Sequence, residues 1–88
     1  MFFAYVLYSH AWNKIYIGSS ADVSSRLLSH NKLAKKGFTV RYRPWVLVFA
    51  EPFATRKEAL IRERQLKSAR GREYIWKIVR SRFSHPEQ

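Results

Sequence analysis

No cysteine occurs among the 88 residues of this chain. Disulfide bonds and thiolate metal sites are therefore excluded, and the absence fits the reducing cytoplasm, where we expect this protein to be located. Long apolar runs are lacking as well. The apolar N-terminal stretch, residues 1–8, is too short to span a bilayer and has neither the basic start nor the cleavage site of a signal peptide. We interpret it as an opening strand and expect no membrane partner.

Acidic residues are scarce: six Asp and Glu stand against 17 Lys and Arg, which gives a formal net charge of +11. Only Lys14 and Arg26 precede residue 32, so 15 of the 17 cations lie in the later part of the chain. One-sided basic charge favours a polyanionic partner. We favour nucleic acid over an acidic membrane or a mere gain in solubility, because no segment has the pattern of a basic amphipathic membrane helix.

The length allows one small domain. Apolar residues make up 47% of the chain, which suffices for one compact core and excludes a second. The predicted strands are 2–8, 14–18 and 45–50, and the predicted helices are 23–33, 56–68 and 72–83. This order, β-β-α-β-α-α, predicts a single α/β domain over residues 1–83, a small three-stranded antiparallel sheet flanked by helices, with a C-terminal tail at 84–88.

Three local patterns refine this prediction. The unbroken apolar run at 45–50 is typical of the middle strand of a sheet covered on both faces, and we expect Pro52 to lie beyond its end. The basic segment 38–43 predicts an exposed loop, which is either a solvated linker or a contact to a phosphate backbone. Gly71 is expected to break the helical pattern between the last two helices.

A candidate site lies between Tyr16 and His30. Tyr16-Ile17-Gly18 ends the second strand, and Asp22 is placed to cap the following helix. Arg26 and His30 are four residues apart, so they share one face of that helix. Taken singly, each has an ordinary explanation: Tyr16 as an aromatic residue of a strand, Arg26 as an arginine whose aliphatic stem packs on the surface, and His30 as a structural histidine. Together they present three polar side chains toward one crevice.

Glu63 is out of place on the second predicted helix. It falls on the same face as Ala59 and Leu66, which should turn inward, whereas Glu58 is explained by a capping box with Thr55. An ionised carboxylate on such a face is costly unless it is paired or binds a metal. We favour a divalent-cation ligand. The alternative is a structural ion pair with a basic neighbour: Arg62, Arg64 or Lys67.

A tyrosine, an arginine, a histidine and an inward carboxylate are the parts needed to cut a phosphodiester with one hard metal ion. In this arrangement the chain resembles the GIY-YIG nucleases, the superfamily of homing endonucleases and of the incision domain of bacterial excision repair. YIG is intact at 16–18, and GIY falls on 3–5, where only Tyr5 is kept. The run 58–63 resembles the segment whose last glutamate holds the metal. The resemblance extends to about Val79 and is greatest to the single-domain bacterial branch.

The resemblance implies the GIY-YIG fold and a divalent-metal-dependent endonuclease that acts on nucleic acid, DNA rather than RNA, with low sequence specificity. Glu63 would bind Mg²⁺ or Mn²⁺, and Arg26 would stabilise negative charge on the phosphate. Tyr16, with Tyr5 nearby, would orient or deprotonate the attacking water, and His30 would assist proton transfer or position Arg26. Since a free tyrosine has a pKa of about 10, a base role requires that metal or arginine lower it.

The chain departs from the family pattern in two places. The first two GIY positions are replaced, and no asparagine follows Glu63, since the only asparagines are Asn13 and Asn31. Two alternatives therefore stay open: a non-catalytic basic nucleic-acid-binding module on the same fold, and a nuclease that needs a protein partner for specificity. The predicted nucleic-acid contacts are Lys35, Lys36, Arg41, Arg43, Lys67, Arg70 and Arg72. The tryptophans, which either stack on unpaired bases or belong to the core, are Trp12, Trp45 and Trp76.

Overall fold

The first two strands form an antiparallel hairpin. In the computed structural model, which describes residues 1–83, strand β1 is Phe2–Ser9 and strand β2 is Lys14–Ser20. Tyr5 pairs with Gly18 across the hairpin. The connecting turn contains Asn13 at a positive φ of 53°, and the Tyr8 hydroxyl donates to its Oδ1 over 2.9 Å. Asparagine tolerates this left-handed conformation better than most residues, which suits it to the turn.

Strand β3, Val46–Phe53, pairs antiparallel with the other side of β1, so the sheet order is β2-β1-β3. The prediction that β3 is the middle strand is wrong: β1 is the middle strand, and β3 is an edge strand. Val46 and Leu47 are 43% and 39% exposed. The predicted end is also wrong, because β3 continues through Pro52. An edge strand tolerates proline, whose missing N–H need not join a ladder.

Within the described residues 1–83, four helices flank the sheet: α1 Val23–Leu28, α2 Phe38–Arg41, α3 Arg56–Leu66 and α4 Ala69–Phe83. The chain continues from α1 through a π-helical turn, Ser29–Leu33. On one sheet face, Tyr5, Leu7 and Trp45 pack with α1 residues. On the other, Ala4, Val6, Tyr8 and Ile17 pack with Leu66 of α3 and with Ile75 and Val79 of α4. The predicted class, a three-stranded antiparallel sheet flanked by helices, is confirmed.

Segment 38–43 is not the exposed loop that its charge predicts. Residues 38–41 form α2, and Thr39 is buried. The backbone carbonyl of Thr39 accepts from Trp45 Nε1 over 2.7 Å. Arg43 donates through Nε and Nη2 to three carbonyls, those of Ser29 and His30 at the start of the π-helical turn and that of Ala34 just after its end. These partners are distant in sequence, so the local excess of cations concealed a structural role.

Gly71 does not break a helix. It is the third residue of α4, and a Cβ atom built on it would lie 2.2 Å from the Gln65 carbonyl oxygen and 2.5 Å from Leu66 Cα. Its lack of a side chain lets the start of α4 approach the end of α3. The capping box of α3 is confirmed: the Thr55 hydroxyl accepts from the Glu58 amide over 3.2 Å, and the Glu58 carboxylate accepts from the Thr55 amide over 3.1 Å.

The three tryptophans have different environments. Trp45 belongs to the core, and Trp76 is half-buried with its ring centroid 6.1 Å from that of Tyr8. Trp12 is 55% exposed. None of the helices within residues 1–83 is both long and apolar enough to cross a membrane. The predicted tail at 84–88 lies outside the described residues.

Candidate active site

Three aromatic side chains that sequence analysis assigned to the site lie together against the α1 face of the sheet, and we call Tyr5, Tyr16 and His30 the aromatic cluster. The ring centroids of Tyr16 and His30 are 4.7 Å apart, and the Tyr5 centroid is 6.2 Å from His30 and 6.3 Å from Tyr16. Tyr5 is 1% exposed, whereas Tyr16 is half-buried. Of the two tyrosines, Tyr16 therefore has the hydroxyl-bearing ring that a substrate can reach.

His30 is buried with both ring nitrogens engaged. Its Nε2 lies 3.0 Å from the Tyr5 hydroxyl, and its Nδ1 lies 3.0 Å from the Thr39 hydroxyl. Burial lowers the pKa of His30, and the nearby charges of Arg26 and Arg43 lower it further. The imidazole is therefore kept neutral. A neutral ring donates from one nitrogen and accepts at the other, so it links the two hydroxyls.

Gly18 makes room for Tyr5. A Cβ atom on Gly18 would lie 2.7 Å from the Tyr5 hydroxyl oxygen and 2.8 Å from its Cζ. Because the Tyr5 ring is buried, it has little freedom to move away. The glycine of the YIG motif thus lets the ring of Tyr5 cross β2 and reach His30.

Arg26 stands on the exposed surface of α1 beside Tyr5. Burial raises the pKa of Tyr5, the nearby Arg26 partly opposes that rise, and the neighbouring Tyr16 and Glu63 add to it. The Tyr5 hydroxyl therefore keeps its proton at neutral pH, which favours an orienting role over a base role. Arg26 is exposed, so its guanidinium is accessible to a substrate.

Glu63 projects from α3 to the end of β2. Its Oε1 accepts from the Ser19 hydroxyl over 2.7 Å, and its Oε2 accepts from Lys67 Nζ over 2.7 Å. Burial acts to raise the pKa of Glu63, but the hydrogen bonds from Lys67 and Ser19 outweigh it and the pKa is lowered. The carboxylate is therefore ionised. The ion pair with Lys67 was one alternative at the sequence level, while Arg62 pairs with Glu51 instead.

A divalent cation would find one carboxylate here. Within residues 1–83, no three His, Asp or Glu side chains are grouped so as to hold a metal. The candidate donors are the ionised Glu63 carboxylate and the adjacent Ser19 hydroxyl, both oxygen ligands. Mg²⁺ commonly binds through one or two carboxylates and completes its shell with water and substrate phosphate. The donor set fits such an ion, provided that Lys67 yields its place on Oε2.

The site is assembled around the open edge of the sheet. Neighbouring residues of a strand point to opposite faces, so Ser19 reaches α3 while Gly18 faces Tyr5. Glu63 thus lies on one side of β2 and the aromatic cluster lies on the other. Since β2 is an edge strand, a long substrate can approach along it and meet both halves of the site.

Among the predicted nucleic-acid contacts, Lys35, Lys36, Arg41 and Arg70 are exposed. Three others already have partners within the protein. Arg43 caps the π-helical turn, Lys67 pairs with Glu63, and Arg72 Nε donates to the Lys67 carbonyl over 3.1 Å.

Sequence reasoning missed two members of the site, Ser19 and Thr39. A signal for Ser19 was present, because it follows Gly18 directly and alternation turns it to the face opposite Tyr16. Thr39 gave no such signal. It reaches His30 only because α2 folds back onto the π-helical turn, a contact that no local pattern announces.

Comparisons with known proteins agree with this geometry. The family model described as the GIY-YIG catalytic domain matches residues 1–77. A UPF0213 protein of Staphylococcus haemolyticus is 33% identical over 70 residues, which cover 80% of this chain and 84% of that protein. A UPF0213 protein of Bacillus velezensis is 35% identical over 83 residues, which cover 91% and 83% of the two chains. No solved structure matches at a significant level.

The family match covers most of the chain and includes every residue assigned to the candidate site. Both relatives belong to the same kind of single-domain bacterial protein that the motifs indicated. This chain belongs to the GIY-YIG catalytic domain family, a branch of the nuclease superfamily.

Proposed function

We propose that this protein is a divalent-metal-dependent endonuclease that hydrolyses phosphodiester bonds, in DNA rather than RNA, with low intrinsic sequence specificity. The observation that carries the proposal is the placement of an ionised Glu63 on one side of the edge strand β2 and of the aromatic cluster with Arg26 on the other. Nucleases of this family generally use a divalent metal ion. The metal contact, the residue roles and the cytoplasmic location stay predictions.

In this proposal a water molecule attacks phosphorus, the bond to the leaving oxygen breaks, and that oxygen takes up a proton. A Mg²⁺ or Mn²⁺ ion on Glu63 would supply Lewis-acid stabilisation of the phosphate and the leaving oxygen. Arg26, which is exposed on α1, stabilises the charge that builds on the phosphate. Ser19 holds the Glu63 carboxylate in place.

The aromatic cluster would orient the attacking water and take part in transfer of its proton. Tyr16, which is half-buried against His30, orients that water and, as the phenolate, would accept its proton. His30 is kept neutral, and its single acceptor nitrogen is bonded to the Tyr5 or the Thr39 hydroxyl, so it would assist proton transfer through that hydrogen bond. Tyr5 is a positioning residue, because its hydroxyl meets His30 Nε2 and its burial favours the protonated form.

One observation favours the rival class, a binding module without catalysis. Lys67 neutralises Glu63 through a 2.7 Å ion pair, so this carboxylate has a structural use even in a protein that binds no metal. The rival predicts that Glu63 variants lose stability but bind nucleic acid as before, with no cleavage in the wild type. A partner protein that supplies specificity is compatible with either class.

The test compares the wild type with Arg26→Ala and Glu63→Gln in Mg²⁺ and in Mn²⁺. Substrates are supercoiled plasmid and labelled single-stranded, flap and RNA oligonucleotides. Cleavage should fall by at least about 100-fold in each variant, the typical cost of removing one group that stabilises a transition state. Binding measured in EDTA should change little.

Two matched control variants distinguish a loss of catalysis from a general effect of changing the net charge. Arg80→Ala and Glu73→Gln make the same charge changes at exposed positions of α4 and should leave cleavage unchanged. Wild-type protein that binds every substrate but cleaves none, in either metal, would overturn the enzyme proposal for the isolated chain and leave the binding module.

A further inference from the structure

An exposed group of aromatic side chains lies beyond the proposed active site, at the turn between β1 and β2. Trp12 of the turn meets Tyr42, with ring centroids 5.6 Å apart, and Phe38 meets the same tyrosine at 4.8 Å. Lys14 Nζ lies 5.2 Å from the Tyr42 ring centroid, and the Arg41 guanidinium lies 5.5 Å from it. We call these five residues the hairpin-tip patch.

The patch leaves apolar surface in contact with water. Trp12 is 55% exposed and Phe38 is 47% exposed, while Tyr42 between them is half-buried. Large aromatic side chains usually gain stability by burial, so exposure of two of them in contact with a third calls for a ligand. Aromatic faces flanked by cations suit a ligand that has flat apolar rings and negative charge.

The charge around the patch supports the same ligand. Asp22 is the only acidic residue among the first 50, and it caps α1 beyond the far end of β2 from the hairpin turn. The exposed Tyr74 makes a useful contrast. It also has an arginine over its ring, Arg62 at 5.9 Å, but Glu51 neutralises that arginine.

The patch connects to the proposed active site through packed rings. Tyr16 of the site lies 6.3 Å from Trp45, and Trp45 lies 6.0 Å from Phe38, centroid to centroid. Trp45 is buried, so it supports its neighbours without meeting the ligand itself. A strand that leaves the site past Tyr16 along this side of the sheet therefore reaches Phe38 first and Trp12 last.

We propose that the hairpin-tip patch binds the unpaired bases of single-stranded nucleic acid, by stacking on Phe38, Tyr42 and Trp12, with Lys14 and Arg41 contacting phosphates. Its use as a guide for a substrate strand rests on the proposed nuclease function. Stacking tolerates any base, because every base has a π face. Duplex DNA offers no such faces along its length, so the patch favours substrates with an unpaired segment next to the cleavage site.

The test measures equilibrium binding in EDTA by fluorescence anisotropy, so it needs no catalysis. The probes are a labelled oligothymidylate, an abasic oligonucleotide of the same length and a blunt duplex. Trp12→Ala and Phe38→Ala should each weaken oligothymidylate binding by at least about fivefold, the lower end of the effect of losing one stacked base. Binding of the abasic strand and of the duplex should stay within about twofold of the wild type, because both keep their phosphates.

Two further variants make the result specific. Trp12→Phe keeps a stacking face and should restore most of the affinity, whereas Tyr74→Ala removes an aromatic of the same exposure as Phe38 and should change nothing. Loss of oligothymidylate and abasic binding to the same degree would overturn the proposal, since it would indicate a backbone contact. Unchanged binding in Trp12→Ala and Phe38→Ala would also overturn it, even if the wild type cleaves DNA. If the variants weaken oligothymidylate binding but the wild type cleaves no substrate, the proposed binding role of the patch stands and the proposed nuclease function is overturned.

Discussion

At the scale of single residues, His30 is the side chain on which most contacts of the aromatic cluster converge. Tyr5 and Thr39 hold its two ring nitrogens, Tyr16 packs on its ring, and Arg43 binds its backbone carbonyl. These contacts fix the orientation of the imidazole. They also exclude water from the ring, and this burial, together with the nearby charges of Arg26 and Arg43, lowers its pKa.

The lowered pKa predicts a pH dependence of stability. In the unfolded chain His30 takes up a proton below pH about 6.5, whereas the folded protein resists protonation until a lower pH. The free energy of unfolding should therefore be insensitive to His30 above pH about 6.5. It should decrease as the pH falls from there to the folded-state pKa, with a slope of up to about 1.4 kcal/mol per pH unit.

Urea unfolding at pH values from about 7.5 to about 5, a range that brackets the ordinary histidine pKa, measures this slope. In His30→Gln the slope should flatten, because an amide keeps a donor and an acceptor but does not titrate. Proton NMR of the imidazole gives the folded-state pKa directly. A His30 resonance that titrates at or above pH about 6.5 would contradict the electrostatic account.

At the scale of helices and strands, the junction of α3 with α4 determines where Glu63 and Lys67 stand. Both lie in or just after the last turn of α3, and α4 begins two residues after Lys67. Gly71 permits the close contact between the two helices. The proposed metal ligand therefore depends on a glycine that has no chemistry of its own.

Gly71→Ala tests this dependence. Replacing glycine by alanine within a helix ordinarily stabilises by about 1 kcal/mol. Here the new methyl would meet backbone atoms of Gln65 and Leu66, so we expect a loss of about 2 kcal/mol or more in the free energy of unfolding.

Urea unfolding measures the change, and Arg70→Ala, an exposed neighbour in the same turn, should stay within about 0.5 kcal/mol of the wild type. A Gly71→Ala protein as stable as the wild type, or more stable, would show that the two helices separate freely.

Local sequence patterns predicted which segments form strands and helices better than they predicted how those segments pack together. The hairpin, the capping box and the sequence of strands and helices follow from periodicity and capping residues, which act over a few positions. The position of β3 at the sheet edge does not, because an apolar run reports burial and says nothing about which strand lies beside it. The α2 helix was missed for the same reason: Thr39 is held by Trp45 and His30, not by its sequence neighbours.

The candidate site shows the same division. Tyr16, Arg26 and His30 come from one continuous stretch whose spacing placed them together. Glu63 was singled out by its position on an otherwise apolar helix face, and it is indeed partly buried. Its hydrogen bond to Ser19 joins residues 44 positions apart, which only the packing of α3 against β2 determines. The chemical roles of these residues stay predictions.

At the scale of the whole molecule, the excess positive charge is spread over both sides of the sheet. Lys35 and Lys36 follow the π-helical turn on the α1 side, next to α2. Lys77 and Arg80 are exposed on α4, which packs on the opposite face. If net charge alone attracted the nucleic acid, both pairs would contribute equally to binding. A substrate that runs along β2 and past the hairpin tip would use the first pair alone.

The salt dependence of binding separates these cases. For single-stranded nucleic acid, each phosphate contact contributes about −0.7 to the slope of log K against log salt concentration. Lys35→Ala with Lys36→Ala should therefore reduce the magnitude of the slope by about 1.4, twice that contribution. Lys77→Ala with Arg80→Ala removes the same net charge and should leave the slope unchanged, because those side chains face away from the strand. Equal reductions in the two double variants would show that net charge, and not one face of the domain, attracts the nucleic acid.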